Sequence, residues 1–436
     1  MKICASLDSY DEKDRVDKAD MVEIRLDLLN EIPNIPNKEM IITYRGNIDL
    51  SILPNGYNGL IDIGEQKSPD TSLRTISSFH DCEGTPDHSE IISKLNGMDS
   101  HIAKGAYMVR SFTDLHNIYL ASSSVKKKHL ILGMGEFGTV TRIRQSILKN
   151  EFTFAYINEP TALGQLSLDQ MSMLDDDCII TGVLGYPLSK SMSPQMHNTA
   201  MRRSDINGIY LKFEIDNLNH ISDVVREYNI QGMNVTIPHK VNIIGHLDSI
   251  DEHAEAAGAV NTIVNNNGKL KGYNTDLDGI DIALRKAGFD PKGKRALLLG
   301  SGGAARACAH YLSTKKCDVT VTGRNPEKVR KFSKETGCEF KQKESVALML
   351  YDLVVNCTPI GMYNDSEYPV NMCQLTDKHT VLDMVYGKKT PIIKKAEEVG
   401  SKVAYGEDML AGQGSVSFGL WTGKYDQFDT MRSVLG

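Results

Sequence analysis

No apolar run in the 436 residues reaches membrane-spanning length, so no transmembrane helix is expected. Basic excess is missing too. Lys and Arg number 49 against 56 Asp and Glu, a formal net charge of -7, and the only basic run, Lys126 to Lys128, reads as a solvated loop. Neither nucleic acid nor an anionic membrane is therefore an expected partner. Eight cysteines lie scattered from Cys4 to Cys373 without a C-x-x-C pair, which argues against zinc or a disulfide framework and for reduced thiols. The opening MKICASL enters a strand-like run with no basic flank or cleavage site, so no signal or transit peptide is expected and the cytoplasm is the expected compartment. Internal repeats and low-complexity tracts are absent. What is present is 41% hydrophobic residues over a length that calls for two or three domains, the profile of a globular protein.

Organisation changes near residue 180. Before it come eight strand-like runs, ICASL, MVEIRLDL, MIITY, GLIDI, RTISSF, HIAK, HLILGM and FTFAYI, the strand count of a parallel (β/α)8 barrel. Helices between some of them must be short, because Arg45 to Asn58 and Gly64 to Leu73 hold a turn at most. Met171 to Thr181, with Asp175 to Asp177, reads as a linker. The expected division is 1–174 as the barrel and 180–436 as a second α/β unit. In that unit, 180–288 and a C-terminal helix (409–436) form a substrate-binding part, and 289–408 a Rossmann-type nucleotide-binding part.

The Rossmann assignment rests on RALLLGSGGAARACAHYL, from Arg295 to Leu312, followed by VTVTGRN. An apolar strand breaks into glycines and then a helix. Gly300 supplies the tight turn, Gly302 lets backbone N–H groups approach a pyrophosphate, and the helix opening at Gly303 turns its positive end toward it. Where NAD enzymes carry an acid, this chain has Gly323, Arg324 and Asn325, and a cation there favours the 2′-phosphate of NADP. In the barrel half, ionisable residues cluster at expected strand ends: Glu23 and Arg25 on one face of strand two, Arg45, His80, Lys104 ending strand six, and Arg142. A lysine at a barrel mouth can attack a ketone to form an imine, with a histidine beside it as proton shuttle.

The order of these pieces resembles type I 3-dehydroquinate dehydratase: EIRLDLL from Glu23, ITYR ending at Arg45, SSFHDCEGTPD around His80, HIAKGA around Lys104, MGEFGTVTR ending at Arg142, and EPTALGQLS around Gln165. The resemblance implies that Lys104 forms a Schiff base and His80 is the general acid and base. Arg142 would hold the substrate carboxylate, and Glu23, Arg25, Arg45, Thr161 and Gln165 would surround the ring. Two departures stand out. Gly64 occupies the place of a glutamate that orients the histidine, leaving Asp62 and Glu65 as the carboxylates within reach, and Leu163 replaces a loop proline. Without that glutamate, a less elevated His80 pKa is expected.

From about Gly182 onward the chain resembles shikimate dehydrogenase, through PLSKSMSPQMHN, GMNVTIPHK, GAVNT, GYNTDLDG, the glycine loop, NCTPIGM, DMVYGKKTP and AGQGSVSFGLWTG. The resemblance implies that Lys240 and Asp276 are the catalytic pair. Ser191, Ser193, Asn234, Thr236, Asn261, Tyr386 and Gln413 would bind substrate. Gly300, Gly302, Gly303, Ala304, Arg324, Asn325, Thr358, Met384 and Gly406 would bind NADP. Together the halves imply a bifunctional enzyme that dehydrates 3-dehydroquinate and reduces the product to shikimate with NADPH, with no catalytic metal. A homodimer is an assembly open to it. The competing readings are a quinate/shikimate dehydrogenase with an impaired dehydratase half, and a regulatory sensor of pathway ligands.

Overall fold

The computed structural model describes residues 1–29, 31–46, 48–362 and 370–436. The chain divides into two compact units, Met1–Gly182 with Ile206–Ile230, and Val183–Asp205 with Gln231–Gly436. The first therefore takes in a segment that the sequence grouped with the second α/β unit.

In the first unit every expected barrel strand forms: β1 (Ile3–Leu7), β2 (Met21–Arg25), β3 (Glu39–Thr43), β4 (Leu60–Asp62), β5 (Arg74–Asp81), β6 (Ile102–Met108), β7 (His129–Met134) and β8 (Thr153–Tyr156). They form one sheet in the order β7-β6-β5-β4-β3-β2-β1-β8, parallel throughout. Alternate residues point inward. Met21, Ile41, Leu60, Ile76, Ile102, Ala106, Leu130 and Phe154 fill the interior. Helices α1 (His88–Gly97), α2 (Phe112–Ser124), α3 (Thr139–Ile143) and α4 (Leu168–Ser172) lie in the later part of the unit, while among the described residues a 3-10 turn at Leu50–Ile52 is the one helical element between β3 and β4. Strand β9 (Ile179–Gly185) leads into helix α5 (Ser193–Arg203), and the chain returns to the first unit as β10 (Gly208–Glu214) and α6 (Ile221–Glu227).

Two features hold that returning segment on the barrel. Phe213 stacks on Phe112 at a ring-centre distance of 5.7 Å and meets Phe137 edge-on at 5.3 Å. Arg144, only 1% exposed, donates to the carbonyls of Cys178 at 2.9 Å, Tyr228 at 2.9 Å, Asn229 at 3.0 Å and also Asp176.

In the second unit, β11 (Gly232–Val235) pairs antiparallel with β13 (Thr262–Asn266), β13 antiparallel with β14 (Lys269–Tyr273), and β14 parallel with β12 (Ser249–Ile250). Helix α7 (Glu252–Ala257) lies between β12 and β13 in sequence, and α8 (Asp276–Lys286) leads to the nucleotide half. There β15 (Arg295–Leu299), α9 (Gly303–Thr314), β16 (Asp318–Thr322), α10 (Pro326–Thr336), β17 (Glu339–Phe340), β18 (Leu353–Asn356), β19 (Thr380–Asp383), α11 (Pro391–Glu398) and β20 (Lys402–Ala404) form a six-stranded parallel sheet, β17-β16-β15-β18-β19-β20. That is the Rossmann order 3-2-1-4-5-6. Helix α12 (Gly406–Thr422) packs against α8, and α13 (Phe428–Val434) against α12 and α5. The α8–α12 approach is close because both faces carry glycine: a Cβ on Gly279 would lie 2.5 Å from the Met409 carbonyl oxygen, and one on Gly412 would lie 3.2 Å from the Gly279 Cα.

Candidate active sites

Parallel pairing sets Ser78 of β5 opposite Lys104 of β6, and β4 brings Asp62 alongside. Lys104 does not end its strand as its motif suggested. β6 runs on through Met108, so Lys104 lies inside it, on the same inward face as Ile102 and Ala106. At 4% exposure its Nζ sits 3.3 Å from Asp62 Oδ2 and 4.2 Å from the centre of the Phe154 ring. Asp62 is wholly buried and also accepts from Ser78 Oγ at 2.6 Å and the Gly64 N–H at 3.0 Å. Burial pushes its carboxyl up, but Lys104, Ser78 and Arg45 outweigh this and hold it below the usual carboxylate range.

His80 lies at the end of β5 with more than a third of its surface open, and no described residue hydrogen-bonds its ring. The surrounding protein, and then the charges of Lys104 and Arg45, hold it below the ordinary imidazole range. Water at the exposed part of the ring moderates this shift. β4 ends at Asp62, so Gly64 lies in the turn beyond it at φ +62°, a left-handed conformation costly for a residue with a Cβ. Asp62 turns to Lys104 instead of His80, and Glu65 lies 3.4 Å from Lys94.

Of the remaining barrel residues, Glu23 is buried between Ser6 and Thr43 hydroxyls at 2.7 and 2.8 Å. Arg25 makes a two-point pair with Asp27, and Arg45 reaches Ser78 Oγ at 3.4 Å. Arg142, in α3 just after β7, is 2% exposed, and its Nε has no hydrogen-bond partner among the described residues. Burial pushes its guanidinium down to about 10. A buried cation without a carboxylate is costly, which marks a place for an anionic ligand. The Thr161–Gln165 loop closes on itself through a 3.0 Å bond from Thr161 Oγ1 to Gln165 Oε1.

In the second unit, Lys240 Nζ is 2.5 Å from Asp276 Oδ2, at the start of α8. Asp276 Oδ1 accepts from Asn261 Nδ2 at 2.8 Å, and that amide also reaches Gln413 Oε1 at 3.4 Å. Asn234 donates to Thr262 and Ser417 hydroxyls. Sequence reasoning named Asn234, Asn261 and Gln413 but missed Thr262, Thr275 and Ser417, whose hydroxyls connect them. The available signals were Thr275 beside Asp276 and Ser417 one helical turn beyond Gln413. Ser193 is buried at the start of α5, Ser191 is half-buried just before it, and Thr236 follows β11 with its N–H bonded to the Leu184 carbonyl.

The nucleotide loop fits a dinucleotide. Gly300 takes φ +111° with a Cβ position 3.0 Å from Thr358 Cγ2, so a side chain there would crowd the turn. Nothing lies within 4 Å of a Cβ on Gly302, the N-cap of α9, which leaves the helix start open beside Gly303 and Ala304. A Cβ on Gly303 would be 3.6 Å from Lys240 Cδ, so the same helix start adjoins Lys240. Arg324 is exposed and makes no ion pair with a described residue, while Asn325 caps α10 by accepting from the Lys328 N–H. Thr358 bonds Asn356 at 2.6 Å, Met384 and Tyr386 are half-buried after β19, and a Cβ on Gly406 would press 2.4 Å from the Val385 carbonyl oxygen.

The shikimate dehydrogenase substrate binding domain matches residues 183–263, and the shikimate/quinate 5-dehydrogenase domain matches 281–378. The NADP(+) shikimate dehydrogenase of Methanococcus maripaludis is 38% identical over 277 residues, 60% of this chain and 98% of that protein. The chain belongs to the shikimate dehydrogenase family. Ahead of that match, type I 3-dehydroquinase matches residues 60–174. A single polypeptide thus carries a type I 3-dehydroquinase and a shikimate dehydrogenase. Among solved structures, shikimate dehydrogenase from Aquifex aeolicus superposes with a TM-score of 0.58 at 32% identity over 60% of this chain and 98% of that one. A chorismate mutase/shikimate 5-dehydrogenase fusion protein from Clostridium acetobutylicum gives 0.56 at 33% identity, over 59% and 97%. In that case too, a shikimate dehydrogenase is fused to another enzyme.

Proposed function

We propose that the two lysine–aspartate pairs divide the work of this bifunctional shikimate-pathway enzyme. In the barrel, Lys104 Nζ attacks the ketone of 3-dehydroquinate and the carbonyl oxygen leaves as water. His80 takes the proton from the adjacent carbon, and the iminium accepts the electron pair. The enamine then returns the pair, and the hydroxyl departs with the proton that His80 holds. Hydrolysis of the imine releases 3-dehydroshikimate and Lys104. Asp62 stays ionised beside the iminium and stabilises its charge, and Arg142 takes the substrate carboxylate as its missing partner.

In the dehydrogenase half, Gly300, Gly302 and the start of α9 hold the pyrophosphate of NADP and Arg324 its 2′-phosphate; NADPH, when bound, supplies the hydride. Lys240 donates a proton to the oxygen of 3-dehydroshikimate, and Asp276 holds that ammonium while Asn261 holds Asp276. Ser191, Ser193, Asn234, Thr236, Tyr386 and Gln413 position the ring. Cytoplasmic residence is proposed from the cysteines, which are all free, Cys82 and Cys373 being exposed.

The observation that carries the reading is the buried Lys104 held against Asp62 on the inward face of β6, between Ile102 and Ala106. Supplied with 3-dehydroquinate and NADPH, the protein should consume NADPH. Lys240→Ala should stop at 3-dehydroshikimate, and Lys104→Ala should oxidise NADPH only when given 3-dehydroshikimate. Borohydride reduction with 3-dehydroquinate should leave ligand mass on the Lys104 peptide. An adduct elsewhere, or none, refutes the imine.

A further inference from the structure

The first unit gathers a cluster of histidines and carboxylates on α2 and α6, none of them a residue of either candidate active site. His116 projects from α2. His220 is the N-cap of α6, Asp223 is in its first turn and Glu227 ends it. One ligand atom from each of His116, His220 and Asp223 lies within 4.8 Å of the others. The two imidazoles stack at 4.5 Å with their planes 12° apart, and His220 Nδ1 is 3.0 Å from Asp223 Oδ2. His116 Nδ1 is 2.7 Å from Glu227 Oε1, an arrangement that holds the ring by one nitrogen. The other Glu227 oxygen is buried and has no hydrogen-bond partner among the described residues.

This is the donor set of a divalent transition metal, with borderline nitrogens and a carboxylate but no thiolate, and with a second carboxylate orienting one imidazole from behind. Ligand atoms around a tetrahedral zinc lie roughly 3–3.5 Å apart, from bond lengths of about 2 Å. The atoms lie within 4.8 Å of one another, and because the two rings are only 12° from parallel, at least one imidazole must turn out of the stack for both to face one ion.

We propose that His116, His220 and Asp223 bind a zinc-class divalent cation, with water completing the shell and Glu227 as the positioning residue for His116. The ion would clip α6 to α2. Its role is structural, since neither reaction uses these residues.

The test uses the full chain, freed of metal by a chelator and titrated with Zn²⁺ by calorimetry and with Co²⁺ by visible absorption. One equivalent should bind, with tetrahedral-type Co²⁺ bands and a rise in unfolding temperature. Side chains of His220 and Asp223 are 41% and 49% exposed, so His220→Ala and Asp223→Asn should fold normally, keep both enzymatic activities and lose the bands and the thermal shift. Glu227→Gln should weaken binding ~10–100-fold. Absence of the equivalent in the unaltered chain, or its persistence undiminished in His220→Ala and Asp223→Asn, overturns the proposal.

Discussion

Arg142 is a buried charge with no ion pair among the described residues, and two opposite effects follow from replacing it. An uncompensated buried guanidinium disfavours folding, so Arg142→Leu should leave thermal stability unchanged or raise it. The same change removes the charge-assisted bonds to the substrate carboxylate, about 3 kcal/mol, so kcat/KM for dehydration should fall on the order of 100-fold. Calorimetry and steady-state rates on one sample check both, and a destabilised variant with normal KM would show that Arg142 is only a packing residue. His80 makes a pH prediction. Its folded-state pKa lies below the ordinary 6.5, so in the folded protein it remains a neutral base as pH falls through 6.5, while stability is lost progressively from there down to the folded value as the unfolded chain takes up the proton first. The acid limb of kcat/KM for dehydration should therefore lie below pH 6.5; a limb at or above it, traced to His80 by substitution, contradicts this electrostatic picture. Lys104, Lys240 and His80 could be picked out as candidates because each sits inside a motif. The Asp62–Lys104 pair was not, because 42 positions separate them and only barrel pairing brings them together.

Elements were legible in proportion to their apolar pattern. The eight barrel strands stood out as short β-rich runs, and the meagre connections between β3 and β5 followed from their lengths. Closeness between helices leaves a weaker trace, since a glycine in a helix looks like a flaw until its neighbour is known. Gly279 is such a case: adding one methyl would place it 2.5 Å from the Met409 carbonyl oxygen and 3.1 Å from Gln413 Cβ. Gly279→Ala should force α12 away from α8 at a cost of ~1–3 kcal/mol. Because Gln413 moves with α12, KM for 3-dehydroshikimate should rise while dehydration is untouched. Separate assays of the two half-reactions measure this, and equal losses in both would mean general unfolding instead of local displacement.

At the scale of the molecule, sequence order and spatial grouping part company. Residues 206–230 lie within the region matched by the dehydrogenase substrate domain, yet they group with the barrel. Nothing in their sequence announces this, because Phe213 reads as ordinary core and the carbonyls that meet Arg144 belong to no motif. The cluster of His116, His220 and Asp223 was hidden for the same reason, its members standing 104 and 107 positions apart (220 − 116 and 223 − 116).

The grip of Arg144 and Phe213 on that segment has a consequence for what a protease can do. Ser172 and Met173, the latter 63% exposed, lie between the barrel and everything after it in sequence, and a cleavage site engineered there should be cut readily. The fragment beginning beyond the cut still contains Cys178, Phe213, Tyr228 and Asn229, all held by side chains of the fragment before it. Nicked protein should run as two bands in detergent yet elute as one particle from a sizing column. Adding Arg144→Ala should release the pieces, and two peaks from the nicked parent would mean that the peptide bond alone had joined them.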